Sequence, residues 1–286
     1  MGQREITNIS ALLDQAYSSY FKEARGQWVF RGHSQCTYKL ISSVGRSVHT
    51  SKSRSKFETS MFEIFRREAV GLLSAPPRDD WEWLSLAQHH GLPTRLLDWT
   101  QNPLVALFFA VEAHPEQDGQ IFALRATVKA SDRTRASPPF EIASPVKFYP
   151  NSVTARIRAQ EGLFVACAEL ERPLDEALPT NWTMEKMPVP ARCKSSIRYE
   201  LFRVGVHASS LFPDIDGLAA RVRWQHSVSS PFAEILARAA AIAPSGGEIA
   251  SHSDLGASLI DQRMQSRIDS GSLRRDDDAA TIQLPE

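Results

Sequence analysis

The hydrophobic positions fall into a small set of periodic runs. Between Ile9 and Tyr20, Leu12, Leu13 and Tyr17 lie near one face, which predicts a short N-terminal helix. Trp28-Val29-Phe30 is a compact apolar run that predicts a strand ending at Arg31-Gly32. From Phe57 to Leu73 the residues Phe57, Met61, Ile64, Phe65 and Leu72 recur at helical spacing, and Pro76-Pro77 stops that helix. Trp81 to His90 is a second helix with Trp81, Leu84 and Ala87 inward, closed by Gly91 as a left-handed cap. Pro93 to Thr100 is polar and irregular enough to be expected as a loop. Asn102-Pro103 then starts a helix, with Asn as cap and Pro in the first turn, and Leu104 to Val111 is apolar all round and therefore buried.

Strands are expected again at Gln120 to Ala126, around Leu163-Phe164-Val165 within Ile157 to Cys167, and at Met187 to Pro190. Ser195 or Ser196 could cap a helix running to about Val206. Leu211-Phe212-Pro213-Asp214 reads as a turn, followed by a helix over Leu218 to Trp224. An alanine-rich helix, Phe232 to Ile242, opens at Ser230-Pro231, and the polar chain beyond Pro244 is expected to be disordered. The pattern predicts an α+β fold: a mixed central sheet flanked by helices, with a C-terminal helix and a disordered tail. The expected division is 1–20 for the N-terminal helix, 21–226 for the main domain and 227–286 for the C-terminal helix and tail.

Composition narrows the function classes. At 42% hydrophobic and 23% charged residues the chain can bury an ordinary core. Its 33 basic and 33 acidic residues cancel, which argues against nonspecific nucleic-acid binding, because phosphate neutralisation needs a basic surplus. A local basic stretch remains in Gly45 to Lys56, expected as a solvated loop. Cys36, Cys167 and Cys193 are dispersed, which excludes a disulfide framework and suits a reducing compartment. Residues Met1 to Glu5 lack the apolar run of a signal peptide, Ile6 breaks the myristoylation pattern, and no apolar run reaches membrane-spanning length. A cytoplasmic location with no membrane partner is expected.

Candidate chemistry gathers at two places. Arg31 ends a strand and is followed by Gly32, so its fork of donors can meet a phosphate or carboxylate beside an open backbone. The bland alternative is an Arg paired with a buried acid such as Asp98. The second place is Gln88 to Thr100. Gln88, His89 and His90 end a helix, whose C-terminus favours a charged histidine. Thr94, Arg95, Asp98 and Thr100 follow in what reads as a loop anchored by Trp83, Leu96 and Trp99. A polar network stapling two helices is the equally plain alternative. No metal is expected. His33, His89, His90 and Asp98 could supply ligands, but adjacent histidines on a helix point about 100° apart and no metal-binding spacing is present. Neither a nucleophile elbow nor a glycine-rich phosphate loop occurs. Gln160-Glu161, entering a strand, adds a further carboxylate.

Four segments together resemble the FRG domain, a family named for its Phe-Arg-Gly motif. They are Trp28 to His33; Trp83 to Thr100 with the Asn102-Pro103 helix; Ala155 to Phe164; and Leu211 to Leu218. The order Arg31, Asp98-Trp99-Thr100 and Gln160-Glu161 is also similar to that of ADP-ribosyltransferases. That resemblance implies NAD as substrate. Arg31 would bind its phosphate or nicotinamide ribose, and Thr100 would support the nicotinamide site. Glu161 would hold the ribose and stabilise the cation formed as nicotinamide leaves. It further implies that Gly32, His33, His89, His90, Thr94, Arg95, Asp98 and Gln160 line the cofactor site. The chain departs from that pattern in lacking Ser-Thr-Ser and in placing Gln160 and Glu161 on opposite faces of a strand. The implied function is an ADP-ribosyltransferase-like effector or toxin, of the kind used in phage defence, with a protein or nucleic-acid target. Two alternatives stay open: a non-catalytic module for a small nucleotide or phosphate, and a nucleic-acid-directed enzyme touching its target through Arg46 to Lys56.

Overall fold

The computed structural model describes residues 4–18, 28–48, 53–126, 132–151 and 154–227. The helix expected at Phe232 to Ile242 and the tail beyond Pro244 lie outside them. The fold is α+β. Its strands are β1 (Trp28–His33), β2 (Leu96–Thr100), β3 (Gly119–Arg125), β4 (Val146–Phe148), β5 (Gly162–Ala166) and β6 (Thr183–Val189). They form one sheet in the order β4-β5-β2-β1-β3-β6. Every pairing in it is antiparallel, where a mixed sheet was expected. The helices are α1 (Ile9–Ala16), α2 (Ser43–Arg46), α3 (Arg54–Ala69), α4 (Asp80–His89), α5 (Pro103–Val111), α6 (Asp132–Arg135), α7 (Ala155–Ala159), α8 (Ala191–Arg203), α9 (Ala208–Leu211) and α10 (Ile215–Gln225).

Local signals account for most boundaries. The Asn8 side chain accepts from the Ala11 N–H at the start of α1, and Asp79 accepts from Glu82 at the start of α4. Asn102 accepts from the Leu104 N–H at 3.0 Å, with Pro103 in the first turn of α5. Gly91 takes φ +89 just after α4, the left-handed cap that its position predicted. One expectation fails here: Leu96 to Thr100 is a strand and not part of a loop. All five residues pair in register with β5, from Leu96 opposite Ala166 to Thr100 opposite Gly162. A polar-looking segment becomes a strand because β5 supplies the missing partner.

Alternation divides the core. On one sheet face Val29, Leu97, Trp99, Phe122, Leu124, Leu163 and Val165 pack with Leu40, Leu174 and Trp182. The other face carries two separate clusters. Phe30, Ile121, Ala123 and Met187 lie under α5 and α8. Leu96, Phe164, Ala166 and Phe148 lie under α3 and α4, with Phe62, Trp81 and Leu84. Helix α5 is buried on nearly all sides, as its sequence requires. The seam between the two clusters runs above the boundary of β1 and β2. Among the described residues no helix is long and apolar enough to cross a membrane.

Candidate functional site

The boundary between β1 and β2 is the weakest line in the sheet. β1 pairs with β3 over its whole length, from Trp28 opposite Arg125 to His33 opposite Gln120. With β2 it shares a single register pair, Phe30 opposite Thr100. Past that point the strands part, and Gly32 no longer faces a paired Asp98 backbone. The Arg31 side chain fills the opening. Its Nη1 donates to the Asp98 carbonyl oxygen at 2.5 Å and lies 3.6 Å from the Asp98 carboxylate, while its Nε–H donates to His33 Nε2 at 3.0 Å. A guanidinium thus satisfies a backbone acceptor that the ladder has abandoned.

A cavity of about 310 Å³ sits over this opening, at the lower end of the range usual for ligand pockets, ~300–1,000 Å³. Phe30, Gly32, Val105, Ala106 and Phe109 wall one side; Gln88, His89, Ile157 and Phe164 wall the other, with Arg156 and Gln160 also lining it. Arg31, Asp98, Trp99 and Thr100 complete the lining along the strands. Gly32 is required by close packing: a Cβ there would stand 1.9 Å from the Ala106 carbonyl oxygen and 2.8 Å from the Ala110 nitrogen. Its bareness serves the approach of α5 to β1, and the cavity inherits the space beside it.

Charge in the cavity is unbalanced toward the positive. The Arg31 side chain is only 19% exposed, whereas that of Asp98 is 66% exposed. Burial lowers the Arg31 pKa from its ordinary value; Asp98 pulls it back up and the like charge of Arg46 lowers it again. A shielded cation facing a solvated carboxylate is a site that gains from an added anion. Burial also lowers the pKa of His89, and His90 and Arg156 add to that effect. This runs against the expectation of a charged histidine: at His89, loss of water first, then His90 and Arg156, work against the charged form that the helix C-terminus favours. Arg156 lies with its guanidinium carbon 4.4 Å above the Phe212 ring, held at the rim by stacking.

Residues 26–119 match the family model of the FRG domain. The chain carries an FRG domain. No curated protein and no solved structure matches it. The matched stretch holds β1, α3, α4, β2 and α5, so the opened strand pair and both of its flanking helices belong to the FRG domain. The three letters of the family's name act differently here. Phe30 is buried under α5, Arg31 fills the strand opening, and Gly32 lets the helix approach.

Of the residues expected at the FRG site, Arg31, Gly32, His89, Asp98, Thr100 and Gln160 come together around the cavity. Five others do not line it. His33 is buried behind Arg31, its ring 5.0 Å from that of Phe122. Its Nδ1 pairs with the Tyr38 carbonyl oxygen at 3.2 Å. Burial and Arg31 together push its pKa down to about 3, so the ring stays neutral and orients the guanidinium. His90 is exposed at the end of α4. Thr94 is buried, donates its hydroxyl to Gln88 Oε1 and accepts from Leu96 N–H at 3.1 Å. Arg95 is buried and holds Glu58 through its backbone N–H at 2.6 Å and its Nε–H at 2.9 Å, which ties α3 to the start of β2. Glu161 sits in an exposed turn at φ +47, not on a strand, and accepts from Asn102 Nδ2 at 2.9 Å.

The hydroxyl of Thr100 is occupied as well. It donates to the Gln160 carbonyl oxygen at 2.6 Å and accepts from the Asn102 N–H at 3.0 Å, locking the turn before α5 to the turn before β5. Gln88 bridges two elements, accepting from Thr94 and donating Nε2–H to Asp98 Oδ1 at 2.9 Å. Arg156 was missed from sequence, although it stands four residues before Gln160 on α7, within a segment that carries the FRG resemblance. Phe109, Ile157 and Phe164 were missed as lining residues because they read as ordinary core. Among the described residues no group of three or more His, Cys, Asp or Glu is placed to hold a metal ion. In the basic stretch expected to touch nucleic acid, Arg54 turns inward to the carbonyl oxygens of Val44 and Ser47 and to Glu171.

Proposed function

We propose that the cleft over the β1–β2 opening binds a small nucleotide-class ligand. The observation that carries this reading is the Arg31 guanidinium, shielded from water at the parted strands and lining a cavity that has Phe109 on one wall and Phe164 on the other. Phosphate would sit against Arg31, with Arg156 at the rim; a planar base would lie against Phe109 and Phe164. A half-apolar pocket with a few convergent polar groups is the usual form of a site for such ligands.

A second reading, transfer of ADP-ribose from NAD, is favoured by one residue. Asp98 is the carboxylate lining the cleft among the described residues. In that reaction the bond between the ribose C1′ and the nicotinamide nitrogen breaks. Nicotinamide leaves with the electron pair, and C1′ gains a bond from an acceptor nucleophile that gives up its proton. Asp98, in place of Glu161, would stabilise the positive charge at C1′. His89, whose lowered pKa keeps it neutral near pH 7, would take the proton. A toxin or phage-defence role follows from this second reading alone.

One set of measurements tests both. Calorimetric titration with AMP should show binding to the wild-type protein, and Arg156→Ala should weaken it about tenfold, the loss of one charge-assisted contact of ~1.5 kcal/mol. Arg156 is exposed, so its removal should leave the thermal midpoint in place. AMP binding that is absent, or unchanged by Arg156→Ala, would overturn the first reading. For the second, NAD should release nicotinamide, Asp98→Asn should stop the release, and Glu161→Gln should leave it intact.

A further inference from the structure

Helix α10 is packed on one side and bare on the other. Its inner side carries Gly217 and Trp224. A Cβ at Gly217 would stand 1.9 Å from the Phe212 carbonyl oxygen. The Trp224 ring centre lies 4.8 Å from the Arg198 guanidinium carbon and 5.7 Å from the centre of the Phe202 ring. The outer side carries Ile215, Leu218 and Val222, exposed by 80%, 44% and 42%, with exposed Ala219 between them. Their spacing is that of the apolar seam by which one helix packs on another. Single exposed apolar residues are ordinary on a protein surface. Three in line on one helix, turned away from its own core, make a seam left open to water.

The charges beside this seam are ordered. Asp216 and Arg223 are both exposed and run along the same flank, one near each end of the helix. They stand about 10 Å apart along the axis and form no ion pair with each other or with another described residue. The other flank carries Arg221, which donates to Gln225 Oε1 at 2.7 Å. The acid lies in the first turn and the base in the last, so the flank is complementary to itself when one copy is reversed.

We infer that the outer face of α10 is a self-association surface, and that its occupant is α10 of a second copy of this chain, packed antiparallel about a two-fold axis. With the axis beside Leu218 and Ala219, Ile215 faces Val222 of the second copy and Leu218 meets Leu218 and Ala219. Asp216 then lies beside Arg223 of the second copy, and the symmetry makes that pair twice. The antiparallel helix dipoles add to the attraction. A parallel pairing would instead set Asp216 against Asp216 and Arg223 against Arg223, which selects against it. An 11-residue helix offers a seam well below the ~1,200 Å² of a standard interface, so the association is of the weak, exchanging kind. It is independent of what the cleft binds.

Sedimentation equilibrium of the full chain tests this, in a series from ~1 μM to ~300 μM that brackets a weak association. The wild-type mass should rise toward that of a dimer. Leu218→Glu should weaken the association at least tenfold, and Ala219→Glu gives a second, independent break in the same seam. Asp216→Arg and Arg223→Asp should each weaken it when alone, because each sets like charges together. Mixed in equal amounts, those two variants should associate at least as tightly as wild type, since both ion pairs form between unlike chains. All four positions are exposed, so thermal unfolding should keep the wild-type midpoint within a few degrees. A wild type that stays monomeric throughout would overturn the proposal. So would association that survives both seam variants, or a mixture that remains as weak as its two components.

Discussion

At the residue scale, three neighbours in β1 do three jobs. Phe30 belongs to the core, Gly32 admits α5, and Arg31 turns into the strand opening. That Arg31 and Gly32 belong to a strand was legible from sequence; Gly32 was expected to let a ligand approach and instead admits α5, and the strand runs on to His33. The role of His33 was not legible, because nothing in the chain shows that Tyr38 and Arg31 would occupy both of its ring nitrogens. Its depressed pKa makes a stability prediction. The unfolded chain binds a proton at His33 near pH 6.5, and the folded protein does so only near 3, so the unfolded state holds more protons between those values. Stability contributed by neutral His33 is present above pH 6.5 and is lost as pH falls toward 3, by ~1.4 kcal/mol per pH unit. Urea unfolding of wild type and His33→Gln between pH 4.5 and 7.5 should show the steeper acid loss in wild type. Parallel pH profiles would contradict this account of the histidine.

At the element scale, the longer helices were legible, whereas the short helices α2, α6, α7 and α9 and the strands β2 and β4 were not. Asn102-Pro103, Gly91 and the apolar run of α5 carry their own local signals. Leu96 to Thr100 does not: alternation spans only five residues, the polar members Asp98 and Thr100 suggest a loop, and the deciding partner, β5, is far along the chain. Glu161 was misplaced for the same reason, since the end of α7 at Gln160 sets its left-handed turn. Arg95 was expected to face a ligand and instead fastens α3 to β2 through Glu58, both side chains being 2% exposed or less. Burial raises the Glu58 pKa, opposed by the charge and hydrogen bonds of Arg95. Glu58→Ala would leave a buried guanidinium uncompensated and should cost ~3–5 kcal/mol of stability. AMP affinity of the fraction that stays folded should change less than twofold, because the pair lies outside the cleft. A variant that keeps wild-type stability, or one that is stable yet loses ligand, would show that Arg95 belongs to the site after all.

For the whole molecule, the α+β class was legible from the sequence of periodic runs, but the sheet order was not. Nothing local tells the chain to place β1 between β2 and β3, or to leave one pair of facing residues where β1 meets β2. That topology makes the cleft. It parts the helical layer into a cluster under α5 and another under α3 and α4, and it brings Arg156 of α7 and the Gln160 that follows it to Arg31 of β1, distant along the chain. The FRG match ends at residue 119, so the far rim of the cavity is built by the chain that follows the matched domain.

The most direct test follows the Arg31 Nε–H resonance by NMR while AMP is added. Arg31 donates that proton to His33, so the signal reports the guanidinium at the parted strands. Saturable movement of this resonance, together with the backbone amides of Gly32 and Thr100, is the predicted result. Saturable movement confined to residues away from the β1–β2 opening, with Arg31 unmoved, would contradict it.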